Sequence, residues 1–253
     1  MKALGVIPAR LGSTRLSAKP LIEFFGKTMI EHTYAATRQS NLLSKVVVTS
    51  DSRRVLDVIQ RAGGDTVLTG ACATGTDRIV QALELMDPKE LREYDVVVNV
   101  QGDEPGVDPK HIDQCIDALR TAGRDTVMST LVTPIVDERD ARNRNVVKCV
   151  ADGNSNALYF SRALIPHSKD GAFTPATTVY LRHAGMYAFR TAFLPAFPLL
   201  PPSRLEATED LEQLRVLDAG YRIKLVHVAS ILPSVDTRAD LDQLTRHWPP
   251  RGH

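Results

Sequence analysis

The sequence is short of several things, and each shortage excludes a class of protein. Its 253 residues contain no apolar run of about 18, so no transmembrane helix is expected. The N-terminal MKALGVIPAR breaks its apolar stretch at Pro8-Ala9-Arg10 and lacks the hydrophobic region and small-residue cleavage site of a signal peptide. Three cysteines, Cys72, Cys115 and Cys149, are scattered and odd in number. They suit neither a disulfide framework nor a zinc site, and a reducing cytoplasm is the expected home. An excess of one charge is missing too. With 31 Lys and Arg against 30 Asp and Glu, the net charge is +1, so there is no global basic field for nucleic acid and any anion site must be local. No internal repeat and no low-complexity tract interrupts the chain.

What remains is ordinary globular material, 43% hydrophobic and 24% charged, long enough to bury a core without disulfide or metal. A single domain over 1–253 is expected. Through the first 120 residues apolar β-branched runs alternate with helical patterns. Ala3–Pro8, Lys45–Thr49, Asp65–Leu68 and Asp95–Val100 read as strands; Met29–Gln39, Asp51–Ala62, Asp77–Met86 and Pro109–Thr121 read as helices. Runs such as VVV and VVVNV, apolar on both faces, belong in a parallel sheet covered on both sides, so the fold class is α/β with a doubly wound, mostly parallel sheet. The pattern then changes. Thr126–Thr133, Val146–Val150, Ala157–Ser161 and Met186–Arg190 look like strands without full helices between them, an antiparallel extension suited to dimerisation. Glu206–Ala219 reads as a helix, Arg222–Ile231 as a strand and Thr237–His247 as a terminal helix, with Thr237 at or just before its N-cap; the tail Pro249–His253 is expected to fray.

Three places could carry chemistry. The loop after the first strand, Ala9 to Pro20, holds Arg10, Arg15 and Lys19 beside Gly12, Ser13 and Thr14. It is neither a P-loop nor G-x-G-x-x-G. Small residues let backbone approach a ligand, hydroxyls donate to phosphate oxygens and cations neutralise them, although an ordinary solvated basic loop has the same composition. In Val100-Gln101-Gly102-Asp103-Glu104-Pro105 a buried strand runs straight into an acid, placed either to hold Mg²⁺ or simply to form a turn. In Ser234-Val235-Asp236-Thr237 an acid again follows a long strand, as a metal ligand or as a helix N-cap. The pair of acids favours the first alternative. Two carboxylates at two strand ends, opposite a basic loop, are the composition of a nucleotidyl-transfer site. Less pointed are Ala73-Thr74-Gly75-Thr76-Asp77-Arg78, which could close over a nucleoside or cap a helix, the lone His183 after Arg182, and Glu212-Gln213 inside the predicted helix.

Six ordered motifs together resemble the 3-deoxy-manno-octulosonate cytidylyltransferase (CMP-Kdo synthetase) family: IPARLGSTRL-x-x-KPL (Ile7–Leu21), VNVQGDEP (Val98–Pro105), ALYFSRALIP (Ala157–Pro166), LRHAGMYAF (Leu181–Phe189), LEQLRVL (Leu211–Leu217) and VDT-x-x-DL (Val235–Leu241). The resemblance runs from about Val6 to Leu244. It implies a nucleotide-diphospho-sugar transferase type of fold, a homodimer with its dimerisation and acceptor-side segment near 155–195, and transfer of CMP from CTP to a sugar acid with Mg²⁺ as cofactor. Carried over by motif, Arg10, Ser13, Arg15 and Lys19 would hold the triphosphate. Ala9, Thr74, Gly75 and Gln101 would lie near the nucleotide, and Asp103 and Asp236 would bind Mg²⁺. Arg10, Lys19, Asp103 and Asp236 would form the catalytic set, while Arg162, His183, Glu212 and Gln213 would face an anionic acceptor. Departures from the family pattern are Ser17-Ala18 where Pro-Gly is usual, Ala73 in place of a Gln, Lys169-Asp170 in place of Arg-Asp, and Leu232-Pro233-Ser234 before VDT. Losing Pro-Gly is expected to cost the loop its turn-forming pair. The departures open an alternative acceptor, a small non-sugar acid such as a phosphonate (phosphonoformate) met by Arg162, Lys169, Arg182 and His183.

Overall fold

The computed structural model describes residues 1–12, 16–232 and 234–248. The chain forms two compact units, one from Met1–Asp113 and Leu232–His253, the other from Gln114–Ile231.

In the first unit, strands β1 (Ala3–Ala9), β4 (Leu43–Ser50), β5 (Asp65–Leu68) and β6 (Val96–Asn99) lie in the order β6-β1-β4-β5, all parallel. Every residue of β1 and β6 is buried, as their unalternating apolar sequences demand. A short hairpin, β2 (Glu23–Phe24) and β3 (Lys27–Thr28), escapes the sequence reading because two-residue strands carry no periodicity; its turn is made by Phe25 and Gly26 at positive φ. Helices α1 (Met29–Thr37), α2 (Arg53–Arg61) and α3 (Gly75–Leu85) start and stop within about two residues of their predicted bounds. The boundary between the units falls within α5 (Pro109–Thr121), which follows the single turn α4 (Pro88–Leu91).

The C-terminal helix Arg238–His247 belongs to the first unit, and Thr237 is its N-cap, in a reciprocal capping box with Asp240. Val235, Leu241 and Leu244 bury themselves against Phe24 and Met29, fastening the returning segment. Burial of each such aliphatic side chain contributes roughly 1.5–3 kcal/mol.

The second unit holds β7 (Thr126–Pro134), β8 (Lys148–Ala151), β9 (Ala157–Ser161), β10 (Leu181–Arg190) and β11 (Arg222–His227). Here β10 runs antiparallel to both β7 and β8, β8 is antiparallel to β9, and β11 is parallel to β7. The predicted antiparallel extension is therefore present, with one parallel strand added. A one-turn helix, α6 (Glu138–Arg142), precedes β8.

Three predicted elements are corrected. β10 begins at Leu181, five residues before the predicted Met186, because a register irregularity between Ala184 and Tyr187 conceals the continuous strand in the sequence. The predicted helix Glu206–Ala219 is broken into α7 (Arg204–Glu209) and α8 (Gln213–Asp218), since Asp210 adopts a left-handed conformation with φ 54° and ψ 53°. β11 also ends at His227 rather than Ile231. Among the described residues no helix is long and apolar enough to cross a membrane.

Candidate functional site

Because β1, β5 and β6 are parallel, the loops leaving their carboxyl ends gather at one edge of the first unit's sheet, where open α/β folds take their ligands. A pocket of about 220 Å³ opens there. β1 delivers Pro8, Ala9 and Arg10 to its wall, the segment after β5 delivers Cys72 to Gly75, and β6 delivers Gln101, Gly102 and Asp103. Lys19 and Asp236 complete it.

The two predicted acids do converge. Lys19 Nζ donates to Asp103 Oδ2 at 2.5 Å and to Asp236 Oδ1 at 3.0 Å. Neither acid serves as a helix cap: Thr237 takes that task, and Asp103 lies in a turn whose main-chain carbonyl accepts from Val235 N at 3.0 Å. That bond ties the loop after β6 to the segment carrying Asp236 and fixes the spacing of the two carboxylates. Burial depresses the Lys19 pKa, but Asp103 foremost, with Asp236, outweighs it, and the net shift is upward. Gly102 permits the close turn, for a Cβ there would lie 2.9 Å from the carbonyl oxygen of Pro8. The hairpin of two carboxylates around one cation is a hard oxygen donor pair, which suits Mg²⁺ completed by phosphate oxygens. Among the described residues no cluster of three or more His, Cys, Asp or Glu stands ready to hold a metal.

The loop that lacks Pro-Gly keeps its turn. Ala18 takes φ 49° and ψ 33°, the left-handed conformation that glycine favours, and Leu21 N donates to Ala18 O at 2.8 Å, launching the turn that carries Lys19. Ser13 and Arg15 lie outside the described residues; Arg10 is exposed at the pocket wall.

On the opposite wall Thr74 caps α3, its hydroxyl accepting from Asp77 N at 3.0 Å, and still lines the pocket. Gly75 lies against Gln101, and Gln101 Nε2 donates to Asn99 Oδ1 at 3.2 Å. The sequence reading missed the group that shapes this wall. Arg78, almost fully buried, donates to Thr69 Oγ1 at 2.6 Å, to the Gly70 carbonyl at 3.2 Å and to Asp51 at 2.9 Å. Its only sequence signal is its place in the Ala73–Ile79 motif.

The four residues assigned to the acceptor all lie in the second unit. His183 sits inside β10 with Nε2 3.0 Å from Thr130 Oγ1, and burial pushes its pKa down to about 3, so the ring is neutral. The Thr130 hydroxyl is also within 2.8 Å of the Met186 carbonyl, which it can only serve as donor. His183 Nε2 is then the protonated nitrogen, and Nδ1 is an acceptor. Glu212 occupies the N-cap of α8 and Gln213 its first turn. Gln213 is 1% exposed, its Oε1 accepts from Tyr187 OH at 3.2 Å, and its Nε2 has no hydrogen-bond partner among the described residues. A buried, unsatisfied amide is costly unless a ligand or water completes it.

Arg162 is engaged otherwise than expected: Nε donates to the Glu209 carbonyl at 2.7 Å, and the two terminal nitrogens reach the carbonyls of Asp210 and Arg144 at 3.1 and 3.3 Å. No cysteine is disulfide-bonded; burial pushes the thiols of Cys115 and Cys149 up, that of Cys115 to about 12.

A parallel sheet with a carboxylate pair, a lysine and a glycine-bearing wall at its carboxyl edge defines a nucleotidyltransferase. The profile of the cytidylyltransferase family matches residues 4–223, and the chain belongs to that family. It is a CTP-dependent nucleotidyltransferase. Within the family its likeness is to 3-deoxy-manno-octulosonate cytidylyltransferases: that of Protochlamydia amoebophila is 42% identical over 95% of this chain and 92% of the relative, and that of Zea mays 42% identical over 96% and 80%. A solved CMP:2-keto-3-deoxy-manno-octonic acid synthetase complexed with CTP superposes with a TM-score of 0.89 at 36% identity, covering 97% of this chain and 98% of the other. A 4-diphosphocytidyl-2C-methyl-D-erythritol synthase from Anaerococcus prevotii, 16% identical with a TM-score of 0.63, shares the fold.

Proposed function

We propose that this enzyme transfers CMP from CTP to 3-deoxy-manno-octulosonate (Kdo) and releases pyrophosphate. The observation that carries the reading is the paired engagement of Asp103 and Asp236 on one cation at the head of the pocket, in a chain whose relatives carry that activity in their names. A hydroxyl oxygen of the acceptor forms a bond to the α-phosphorus of CTP, its proton passes to solvent, and the bond from the α-phosphorus to the bridging oxygen breaks as pyrophosphate departs. Asp103 and Asp236 would hold Mg²⁺, which when bound supplies positive charge to the phosphoryl oxygens. Lys19 and Arg10 would neutralise the triphosphate, with Ser13 and Arg15 assigned to it by motif, and Ala9, Thr74, Gly75 and Gln101 would border the nucleoside. An electrostatic group of this kind contributes on the order of 3–4 kcal/mol to transition-state stabilisation.

Acceptor recognition is assigned to the second unit. His183 would act as a neutral hydrogen-bonding group, with Nδ1 accepting from an acceptor hydroxyl, and Gln213 Nε2 would donate to an acceptor oxygen; Glu212 would border them. Arg162, with its guanidinium given to carbonyls, would frame this region. No observation favours the phosphonate, and the relatives named above give it no support.

We also assign the protein to a reducing cytoplasm, in keeping with three free cysteines, and to a homodimer formed through the second unit. Val136, Leu158, Val179 and Leu199 there are between 61% and 83% exposed, apolar surface that a second copy would cover. Sedimentation should give twice 27.8 kDa, and a mass near 27.8 kDa refutes the dimer. The activity is tested by pyrophosphate release with CTP and Mg²⁺ over Kdo, its 8-amino analogue, sialic acid and phosphonoformate, products weighed by mass spectrometry. Turnover with Kdo is expected; silence with Kdo and turnover with phosphonoformate would overturn the acceptor.

A further inference from the structure

Lys148 is a charged side chain that the reaction has no direct use for, yet it is wholly buried. Its ammonium donates to three main-chain carbonyls, those of Asn143 at 2.9 Å, Val146 at 2.6 Å and Arg162 at 2.6 Å. A buried ammonium can donate three hydrogen bonds, and all three go to backbone. Burial pulls its pKa down, with Glu209 acting in the opposite sense.

Its position is central. In register it faces Ser161 on β9 and Arg182 on β10, and the carbonyl of the preceding Val147 accepts from His183 N at 2.9 Å. From Arg162 the connections continue. Glu209 accepts from Ser161 Oγ at 2.6 Å and from Arg162 N at 2.9 Å, and Arg162 in turn donates to the Glu209 and Asp210 carbonyls. Asp210, in its left-handed conformation, ends α7, and Glu212 and Gln213 follow at once. The Lys148 ammonium thus reaches the start of α8 through Arg162 and Glu209, while the main chain just before Lys148 holds His183 N through the Val147 carbonyl.

We infer that Lys148, acting through Arg162 and Glu209, is a positioning residue for acceptor recognition, setting where His183, Glu212 and Gln213 stand. The inference rests on the reading that those three residues meet the acceptor. Buried polar networks of this kind fix a unique geometry when fully satisfied, and lose it when one member is removed.

The test is Lys148→Met, which keeps the length and removes the donors, alongside Glu209→Gln as a milder break in the same network. Both should raise the KM for Kdo at least tenfold while the KM for CTP stays within twofold, and the double variant should be no worse than the weaker of the two singles. A merely structural role would lower the active fraction, hence apparent kcat, with both KM values unmoved; that result, or a parallel rise in both KM values, overturns the inference. Hydrogen exchange supplies an arm that needs no acceptor. In Glu209→Gln, and in Lys148→Met where it folds, exchange at the amides of Arg162, Leu211 and Leu214 should quicken at least tenfold, with Val96 to Val98 unchanged. Unchanged exchange at those amides refutes the inference even if Kdo proves not to be the acceptor. Wild-type silence with Kdo, together with quickened exchange, would instead count against the acceptor reading alone.

Discussion

The two most enclosed lysines, Lys19 in the first unit and Lys148 in the second, hold their charges in opposite ways. In the first, Lys19 is held by two carboxylates, side chain to side chain. In the second, Lys148, Arg162 and Arg190 are held mainly by main-chain carbonyls; Arg190 alone reaches those of Leu119, Ala122, Gly123 and Thr126. A cation paired with carboxylates can exchange partners when phosphate and metal arrive, because every group in the exchange is charged and partly wet. A cation spent on carbonyls has no such alternative, and its work is to fix the chain. The lesson is that a count of cations near a site says little until their partners are known.

The contrast can be broken first at Asp103. Asp103→Asn should lower kcat about 10³-fold, as loss of a preorganised electrostatic group does, with the urea midpoint nearly unchanged. Ordinary turnover with Mg²⁺ would show that the first unit's charges are frame as well. His183 is the counterpart test. A ring whose pKa falls from 6.5 to about 3 on folding binds fewer protons native than unfolded, so its contribution is complete above about pH 6.5 and is lost as the pH falls from there towards 3. Wild-type stability should drop by about 1.4 kcal/mol per pH unit over that window relative to His183→Asn, read from urea unfolding at pH 7, 6 and 5. Equal slopes would mean that His183 is not held neutral.

A third probe asks whether backbone matters as much in the first unit. Gly102→Ala places a Cβ against the Pro8 carbonyl and should cost about 1–3 kcal/mol of stability, because neither backbone can yield easily. A loss below 0.5 kcal/mol, on the order of an ordinary surface change, would show the turn to be compliant. The smallest effect is expected at Ala18. Ala18→Gly relieves a left-handed alanine and should stabilise by about 0.5–1 kcal/mol in thermal or urea unfolding, after the entropy of the added glycine is deducted.

Much of the first unit was legible because β1, β4 and β6 carry unalternating apolar runs, and the last helix because Thr237 caps it. Asp103 was legible because it follows the wholly buried β6 closely; Asp236 does not stand at a strand end, since β11 stops at His227, and it is the segment leading into the C-terminal helix that brings it to Lys19. The second unit was harder. Nothing local in Glu206–Ala219 announces the break at Asp210, which comes with Glu209 held by Ser161 and Arg162, nearly fifty residues away in sequence. Arg162, expected at the acceptor, also makes carbonyl bonds to Glu209 and Asp210 that no sequence motif announces. Lys148 went unnoticed because it sits in an apolar stretch, and Arg78 was named only within its segment, because each acts through tertiary contacts.

One feature of the first unit bears on how the enzyme is made. Asp103 and Asp236 stand 133 positions apart in a chain synthesised from one end, with the whole second unit translated between them. The early-made β6 loop must wait, holding Lys19 and a single carboxylate, until the segment around Val235 emerges and docks on Phe24 and Met29. A chain that stops before Asp236 would leave Lys19 with Asp103 as its one carboxylate partner of the two.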